Sequence, residues 1–388
     1  MIERIIAASA RNLLIVSLGV VVIVAAGWYA LKHIPLDALP DLSDVQVIVF
    51  TEWEGRSPTL VEDQVTYPIV STMLSAPRVK VVRGYSYFGM SFVYIIFRDG
   101  TDLYWARSRV LEYMNGLAGR LPSGVAPVLG PDATGVGWAY QYAIVDSTNR
   151  LDLQELRSLQ DWNIRYALRS VPGVADVASI GGYVKQYQVE VYPNRLLAYE
   201  VTLDEVMDAI QASNNDVGGR VIEFNGTEYM IRGRGYVQQV KDLEKVAVRT
   251  SEKGVPVLLR DLGRVQLGPD MRRGTAELNG LGETAGGIVI VRFGENALRV
   301  ITDVKTRLAE VQKSLPRGVA IVPVYDRSTL INDSIRTLRE KLIEESVIVS
   351  LVCVVFLFHF PSALVAILML PLALLLSFMS MHALGLSS

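Results

Sequence analysis

The chain has 388 residues, 50% of them apolar and 20% charged, with a formal net charge of −2 and a mean hydropathy of +0.29. That balance excludes a disordered chain and a basic nucleic-acid binder. One cysteine, Cys353, excludes a disulfide framework and any multi-cysteine zinc or iron–sulfur site, and three histidines (His33, His359, His382) leave little room for histidine-based catalysis.

The apolar residues are concentrated in places. Asn12–Leu31 is 20 residues long without a charge, and a helix of that length spans about 30 Å, the thickness of a bilayer's hydrocarbon core. Trp28 and Tyr29 stand at its far end, where aromatic rings favour the membrane interface. A secretory signal peptide has a shorter apolar core, about 7–15 residues, and then a small-residue cleavage site. Trp28, Tyr29, Leu31 and Lys32 occupy that place, so the segment reads as an uncleaved anchor. Arg4 and Arg11 precede it, whereas Asp37, Asp41 and Asp44 follow. The basic-residue bias puts the N-terminus in the cytoplasm and residues 34–341 outside.

The next elements read as an exported αβ region. Asp44–Thr51 alternates like a strand, and Pro58–Leu74 is a helix with Pro58 at its start. Val79–Arg83 and Ser91–Phe97 are strands, Asp102–Leu117 is an amphipathic helix, and a strand follows near Val125–Leu129. The order β-α-β-β-α-β is a split βαβ unit. The pattern recurs. Ser75-Ala-Pro-Arg-Val resembles Ser170-Val-Pro-Gly-Val, and Leu121-Pro-Ser-Gly-Val125 resembles Leu315-Pro-Arg-Gly-Val319. The first pair lies 95 residues apart and the second 194, which leaves a 99-residue insertion in the second copy. The insertion is expected after Gly181-Gly182 and before the Ile288–Arg292 strand. It contains a helix over Thr202–Asn214, with Thr202 and Glu205 as a capping box, and strands near Val221–Phe224, Tyr229–Gly233 and Val246–Arg249.

Two further apolar stretches follow. Leu342–Phe360 reads as a second span with Glu344 and Glu345 at the interface, Pro361 breaks the chain, and Ser362–Leu386 reads as a third. An end just past a span, at Gly385–Ser388, reads as the N-terminal portion of a longer protein. The fold class expected is an α+β membrane protein: transmembrane helices plus exported subdomains of split βαβ (ferredoxin-like) type, one carrying an inserted subdomain.

Few residues carry chemistry. No phosphate-binding Gly-rich loop, Gly-x-Ser-x-Gly or His-Glu-x-x-His is present. Asp37, Asp41, Asp44, Asp99 and Asp102 sit at loops and helix starts, where caps and turns account for them. An energy-coupling acid belongs inside a span, and the expected spans hold no central one. Methionine stands out, because its thioether is a soft ligand suited to Cu(I) and Ag(I). Of the six in the exported part, Met73, Met114 and Met207 fall in helical patterns and read as core; Met90 and Met230 are the others. Met271 lies in the polar segment Gly268-Pro-Asp-Met-Arg-Arg-Gly274 between strands, where no core methionine is expected. It is the one candidate metal contact. Its basic neighbours Arg272 and Arg273 do not favour a cation by charge, so any affinity must come from sulfur.

Several runs resemble heavy-metal efflux pumps of the resistance-nodulation-division superfamily. They are Ile34-Pro-Leu-Asp-Ala-Leu-Pro-Asp-Leu-Ser-Asp-Val-Gln-Val47, Val65-Thr-Tyr-Pro68, Asp99-Gly-Thr-Asp102, Gly130-Pro-Asp-Ala-Thr-Gly-Val-Gly137, Ser158-Leu-Gln-Asp-Trp162 and Tyr325-Asp-Arg327. Asp41-Leu-Ser-Asp44, Gly137-Trp138 and Asp270-Met-Arg-Arg273 resemble the copper/silver branch. The resemblance implies a homotrimeric secondary transporter of the inner membrane, driven by the proton-motive force. It has no cofactor and exports Cu(I)/Ag(I) with a periplasmic adaptor and an outer-membrane channel. It also implies an order of parts: residues 1–33, the N-terminus and first membrane helix; 34–135, a first porter subdomain; 136–181 with 274–336, a second; 182–273, an inserted docking subdomain that meets the channel; 337–360 and 361–388, the second and third membrane helices. The family's main methionine site and proton-relay acids lie beyond this sequence. Met271 matches a methionine with a relay role in the copper branch.

Two other readings stand beside this one. A pump for Co(II), Zn(II) or Cd(II) has the same architecture. A membrane-anchored periplasmic binding or sensing protein fits the anchor but leaves the split repeat unexplained. Without a nucleophile–base set, an enzyme is not expected.

Overall fold

A computed structural model describes residues 9, 11–34, 41–117, 119–250, 254–272, 274–357 and 360–384. Arg4, Asp37, Arg273, His359 and Gly385–Ser388, all singled out above, lie outside the described residues. The chain divides into two compact units: Met1–Thr148 with Gln160–Ile180 and Gly286–Ser388, and Asn149–Leu159 with Gly181–Ala285.

The first unit opens with helix α1, Leu13–His33. Its Leu14–Lys32 stretch is, among the described residues, the one long and apolar enough to cross a membrane. Lys32 lies over the Trp28 ring, 5.4 Å from its centroid. Strand β1, Gln46–Glu52, alternates as expected, with Val47, Val49 and Thr51 buried. Helix α2 runs without a break through Pro58–Val61, Glu62–Thr66 and Tyr67–Met73. Pro58 suits the first turn because its missing N–H has no helical partner there, and Ser57 Oγ accepts from Leu60 N. Strands β2, Val79–Tyr87, and β3, Met90–Phe97, form a hairpin. Helix α3, Leu103–Asn115, is capped by Asp102, whose Oδ1 accepts from Trp105 N at 2.7 Å. Strand β4 is only Val128–Leu129, shorter than expected because Pro127 has no N–H to donate to a ladder.

The second copy has the same plan. Strand β5 is Trp138–Asp146, and helix α4 runs through Leu153–Leu159, Gln160–Ile164 and Arg165–Arg169. Strand β6 is Val174–Gly181.

The second unit follows. Strand β7 is Lys185–Val191, helix α5 is Leu203–Ser213, and strands β8, Val217–Phe224, and β9, Thr227–Gly233, form a hairpin. Strands β10, Ala247–Thr250, and β11, Pro256–Leu258, pair with each other, and β12, Gly263–Pro269, pairs along its whole length with β7. Thr202 and Glu205 form the expected capping box. Val201, Val206, Leu243, Leu259, Leu262 and Val265 make this unit's core. Asn225 and Gly226, both with positive φ, turn the β8–β9 hairpin. Its base is pinned by Asp216. Oδ1 accepts from Gly235 N at 2.9 Å and Oδ2 from Arg232 Nε at 2.8 Å.

Strand β13, Ala285–Val291, returns the chain to the first unit, followed by helix α6, Ala297–Gln312, and strand β14, Val319–Asp326. The two four-stranded sheets run β2-β3-β1-β4 and β14-β5-β13-β6. Numbered within each copy, both orders are 4-1-3-2 read from one edge or the other. Val47, Val49, Val93, Ile95 and Phe97 of the first sheet meet Val61, Ile69 and Met73 of α2 and Ala106 and Val110 of α3. Each such side chain, fully buried, contributes about 1.5–3 kcal/mol of hydrophobic stabilisation.

Helix α7, Arg327–Leu357, starts at the residue after β14. The second apolar stretch therefore does not begin a helix of its own at Leu342. No Gly or Pro interrupts Arg327–Leu357, so the polar half, with Asp333–Arg336 and Lys341–Glu344 ion pairs, runs straight into the apolar half. Helix α8, Phe360–Ala383, carries Pro361 in its first turn, so this proline starts the helix. Its Ile367–Ala383 part is a shorter apolar helix. Among the described residues, only one of the three expected spans meets the length and composition of a membrane crossing.

Helices α1 and α8 touch at Gly27, where a Cβ would lie 2.7 Å from Leu375 Cβ. Small residues at such a contact let two backbones approach. We expect Gly27→Leu to cost about 1–3 kcal/mol by overpacking, read as a lowered thermal midpoint in detergent. Gly19→Leu, with nothing within 4 Å, should leave the midpoint unchanged.

The hydrogen bond from Gly235 N, then that from Arg232, holds the Asp216 carboxyl below its ordinary range. Its contribution to the hairpin base is complete above the ordinary carboxylate value and is lost as pH falls through the lowered one. Hydrogen exchange at Thr227–Gly233 should therefore speed up in that acid window beyond its intrinsic pH dependence. Asp216→Asn should remove this extra acceleration.

Candidate functional site around Met271

The β7–β12 ladder ends at the pair Pro269–Lys185. Gln188 Nε2 donates to Pro269 O at 2.7 Å, and Asp270 N donates to Val184 O at 2.9 Å. Asp270 Oδ1 then accepts from Met271 N at 2.6 Å. The backbone before Met271 is thus held on both sides while its side chain is 63% exposed.

Arg272 does not point a free charge at that sulfur. Its Nη2 lies 2.6 Å from Glu283 Oε1, its Nη1 donates to Tyr183 Oη at 2.9 Å, and its guanidinium lies over the Tyr183 ring. The hydrogen bond to Glu283 raises the Arg272 guanidinium above its already high ordinary value. The objection from local positive charge is therefore weaker than the bare sequence suggests. One thioether is a single soft ligand, so Met271 can pass or share an ion but cannot enclose one. Among the described residues, no group of three or more His, Cys, Asp or Glu is placed to hold a metal ion.

The other methionines sort by face. Met73 is buried in the first core, Met114 packs against it, and Met90 is half-buried on β3. Met207 was expected in a core but is 59% exposed. Its helical neighbours Val206 and Ile210 face the core, and residue 207 is turned about 100° from 206. Met230, on β9, is exposed as well.

Asp41, Asp44 and Asp102 do structural work. Asp41 accepts from Ser43 N at 3.0 Å and Thr134 Oγ1 at 2.6 Å, and Asp44 pairs with Lys80 at 3.5 Å. Other motif residues are joints of the first unit. Asp132 accepts from Tyr104 Oη at 3.2 Å and pairs with Arg292 at 2.7 Å. Asp326 pairs with Lys305 and accepts from Ser328 Oγ at 2.6 Å, while Arg327 donates to Val136 O and Trp138 O. Burial opposes the Asp326 charge, yet the Lys305 and Ser328 hydrogen bonds keep its carboxyl below the ordinary range. Gln160, inside the Ser158–Trp162 motif, is fully buried and accepts from Tyr142 Oη at 2.9 Å. A Cβ at Gly287 would lie 2.4 Å from that Tyr142 oxygen. Sequence reasoning missed this pair, since nothing local marks a Gln as buried.

With this geometry in view, comparison with known proteins is informative. SilA of Salmonella typhimurium and the cation efflux system protein CusA of Escherichia coli K12 are each 54% identical to the chain over all 388 residues. The cobalt-zinc-cadmium resistance protein CzcA of Cupriavidus metallidurans is 37% identical over 98% of the chain. The chain spans 37% of the length of the first two and 36% of the third. A crystal structure of a heavy metal efflux pump superposes with a TM-score of 0.88 at 33% identity, covering 99% of this chain and 38% of that one. A sequence model of the AcrB/AcrD/AcrF family matches residues 5–388. The chain belongs to the AcrB/AcrD/AcrF family of resistance-nodulation-division proteins.

Proposed function

We propose that the chain is the N-terminal part of the inner-membrane subunit of a tripartite, proton-driven pump that exports Cu(I) and Ag(I). The observation that carries this reading is the 54% identity, over the whole chain, to a cation efflux system protein. Identity to a cobalt-zinc-cadmium resistance protein is lower, 37% against 54%, which puts the divalent alternative second. The donor supply agrees with it: exposed thioethers at Met207, Met230 and Met271.

In this reading, residues 34–135 and 136–181 with 274–336 are two porter subdomains, and 182–273 is a docking subdomain facing an outer-membrane channel. Three helices, over 1–33, 337–360 and 361–388, cross the inner membrane, with the N-terminus in the cytoplasm and residues 34–341 in the periplasm. Three copies assemble with a periplasmic adaptor. Energy coupling is a transporter's, by proton antiport, with no enzymatic step and no cofactor. Met271 hands the ion along. Its held backbone fixes where the sulfur can reach, and the free side chain can take an ion from one soft ligand and release it to the next.

Expression of the full-length gene in a metal-sensitive host should raise tolerance to copper and silver, with no gain for zinc, cobalt or cadmium. Tolerance to the divalent ions alone would replace the proposed selectivity. Met271→Ala should lower copper and silver tolerance several-fold at unchanged protein level. A tolerance curve matching wild type across the titration would remove Met271 from the path.

A further inference from the structure

Two methionines and a histidine lie close together near the end of α8, in Phe378-Met379-Ser380-Met381-His382. Met379 and Met381 are half-buried there and His382 is exposed. Met379 and His382 are three residues apart, so their Cβ atoms lie on one face of the helix, roughly 5–6 Å from each other. Met381 lies about 100° around the helix from His382 and about 200° from Met379. His382 has a defined neighbour: its ring meets the Tyr29 ring of α1 edge-to-face, with centroids 6.0 Å apart. The two hydroxyls in the same turns are spent within the helix, Ser377 on Ala373 O at 3.1 Å and Ser380 on Leu376 O at 2.9 Å. They do not compete as ligands.

A thioether and an imidazole on one helix face form a donor pair for a soft monovalent ion, with sulfur selecting Cu(I) or Ag(I) and imidazole adding a second strong bond. The end of a helix adds to this, because its last carbonyls carry partial negative charge that favours a cation. Two neutral ligands suit an ion of single charge and low coordination number. They offer too few donors to Zn(II), which takes four in its structural sites and three protein ligands plus water in its catalytic ones.

We propose that Met379 and His382 together form a binding site for one Cu(I) or Ag(I) ion at the α1–α8 contact. The proposal rests on the soft-ion reading above and adds a site to it. In the topology proposed there, this end of α8 lies at the periplasmic face of the membrane. The site would take up ions at the membrane surface, separately from Met271.

The test uses the purified full-length protein in detergent, titrated calorimetrically with silver nitrate in chloride-free buffer. Met379→Leu keeps the volume and removes the sulfur. His382→Phe keeps a ring against Tyr29 and removes both nitrogens. Each variant should bind one Ag(I) fewer per chain than wild type, the double variant no fewer than either single one, and Met381→Leu the same as wild type. Wild-type stoichiometry in both single variants would overturn the site. So would the loss of two ions in the double variant, which would mean that the residues bind independently. X-ray absorption of Cu(I)-loaded protein gives a second readout: both single variants should lose the nitrogen contribution of this site, because each loses the ion, whereas Met381→Leu should keep it. Silver uptake into proteoliposomes under a pH gradient separates the two readings. Absent uptake by wild type would remove the pump assignment, while the stoichiometries decide the site.

Discussion

Covering one face of each four-stranded sheet with two helices is the constraint on which the first unit depends. In the first copy the covering positions on α2 are Val61, Val65, Ile69 and Met73, and in the second the matching positions of the first unit are Gln160, Ile164 and Leu168, all buried. The two sets lie 95 residues apart, position by position. A strict four-residue spacing drifts about 40° per step on a 3.6-residue helix. Both helices contain one π turn, Glu62–Thr66 and Gln160–Ile164. The wider turn takes up the drift, and in the first copy all four positions pack against the sheet.

Within that frame the second copy departs in two ways. Gln160 takes the place of Val65, and its burial is tolerated because Tyr142 Oη donates to it and Gly287 leaves room for the tyrosine. Desolvation raises the Tyr142 hydroxyl's pKa well above its usual range, so it remains a donor at any physiological pH. The other departure is the long excursion between β6 and β13. In the first copy the corresponding strands join through a tight hairpin. Because β6 and β13 are sheet neighbours, the two ends of the excursion already lie close together. Extending a loop whose ends stay close adds little closure entropy.

The scarcity of Cys and His turns the metal question toward sulfur in thioethers. The exposed side chain of Met271 on a held backbone, and the pairing of Met379 with His382 near Tyr29, are two ways of presenting such sulfur. The first depends on a strand ladder and an Arg272–Glu283 pair that takes a positive charge out of play. The second depends on helical spacing and a contact between two apolar helices. Neither resembles a hard-ion site, where several carboxylates converge.

Much of the local structure is legible without coordinates. Alternation marks β1, Pro58 and Asp102 mark helix starts, and Thr202 with Glu205 marks a capping box. Each of these is a property of neighbouring residues. The motifs also suffice to recognise the family. What local pattern cannot supply is phase and continuation. Met207 sits in a helical pattern but on its outer face, and the start of β4 depends on one missing N–H at Pro127. The second apolar stretch proves to be the later half of a helix that begins at Arg327, where ties to Val136 O and Trp138 O join helix to sheet. Sequence by itself determined which elements form, where they start and that a soft ligand is in supply. Only the tertiary structure decided which side chains are buried, which charges are paired and which sulfurs are free, because those depend on partners many residues away in the chain.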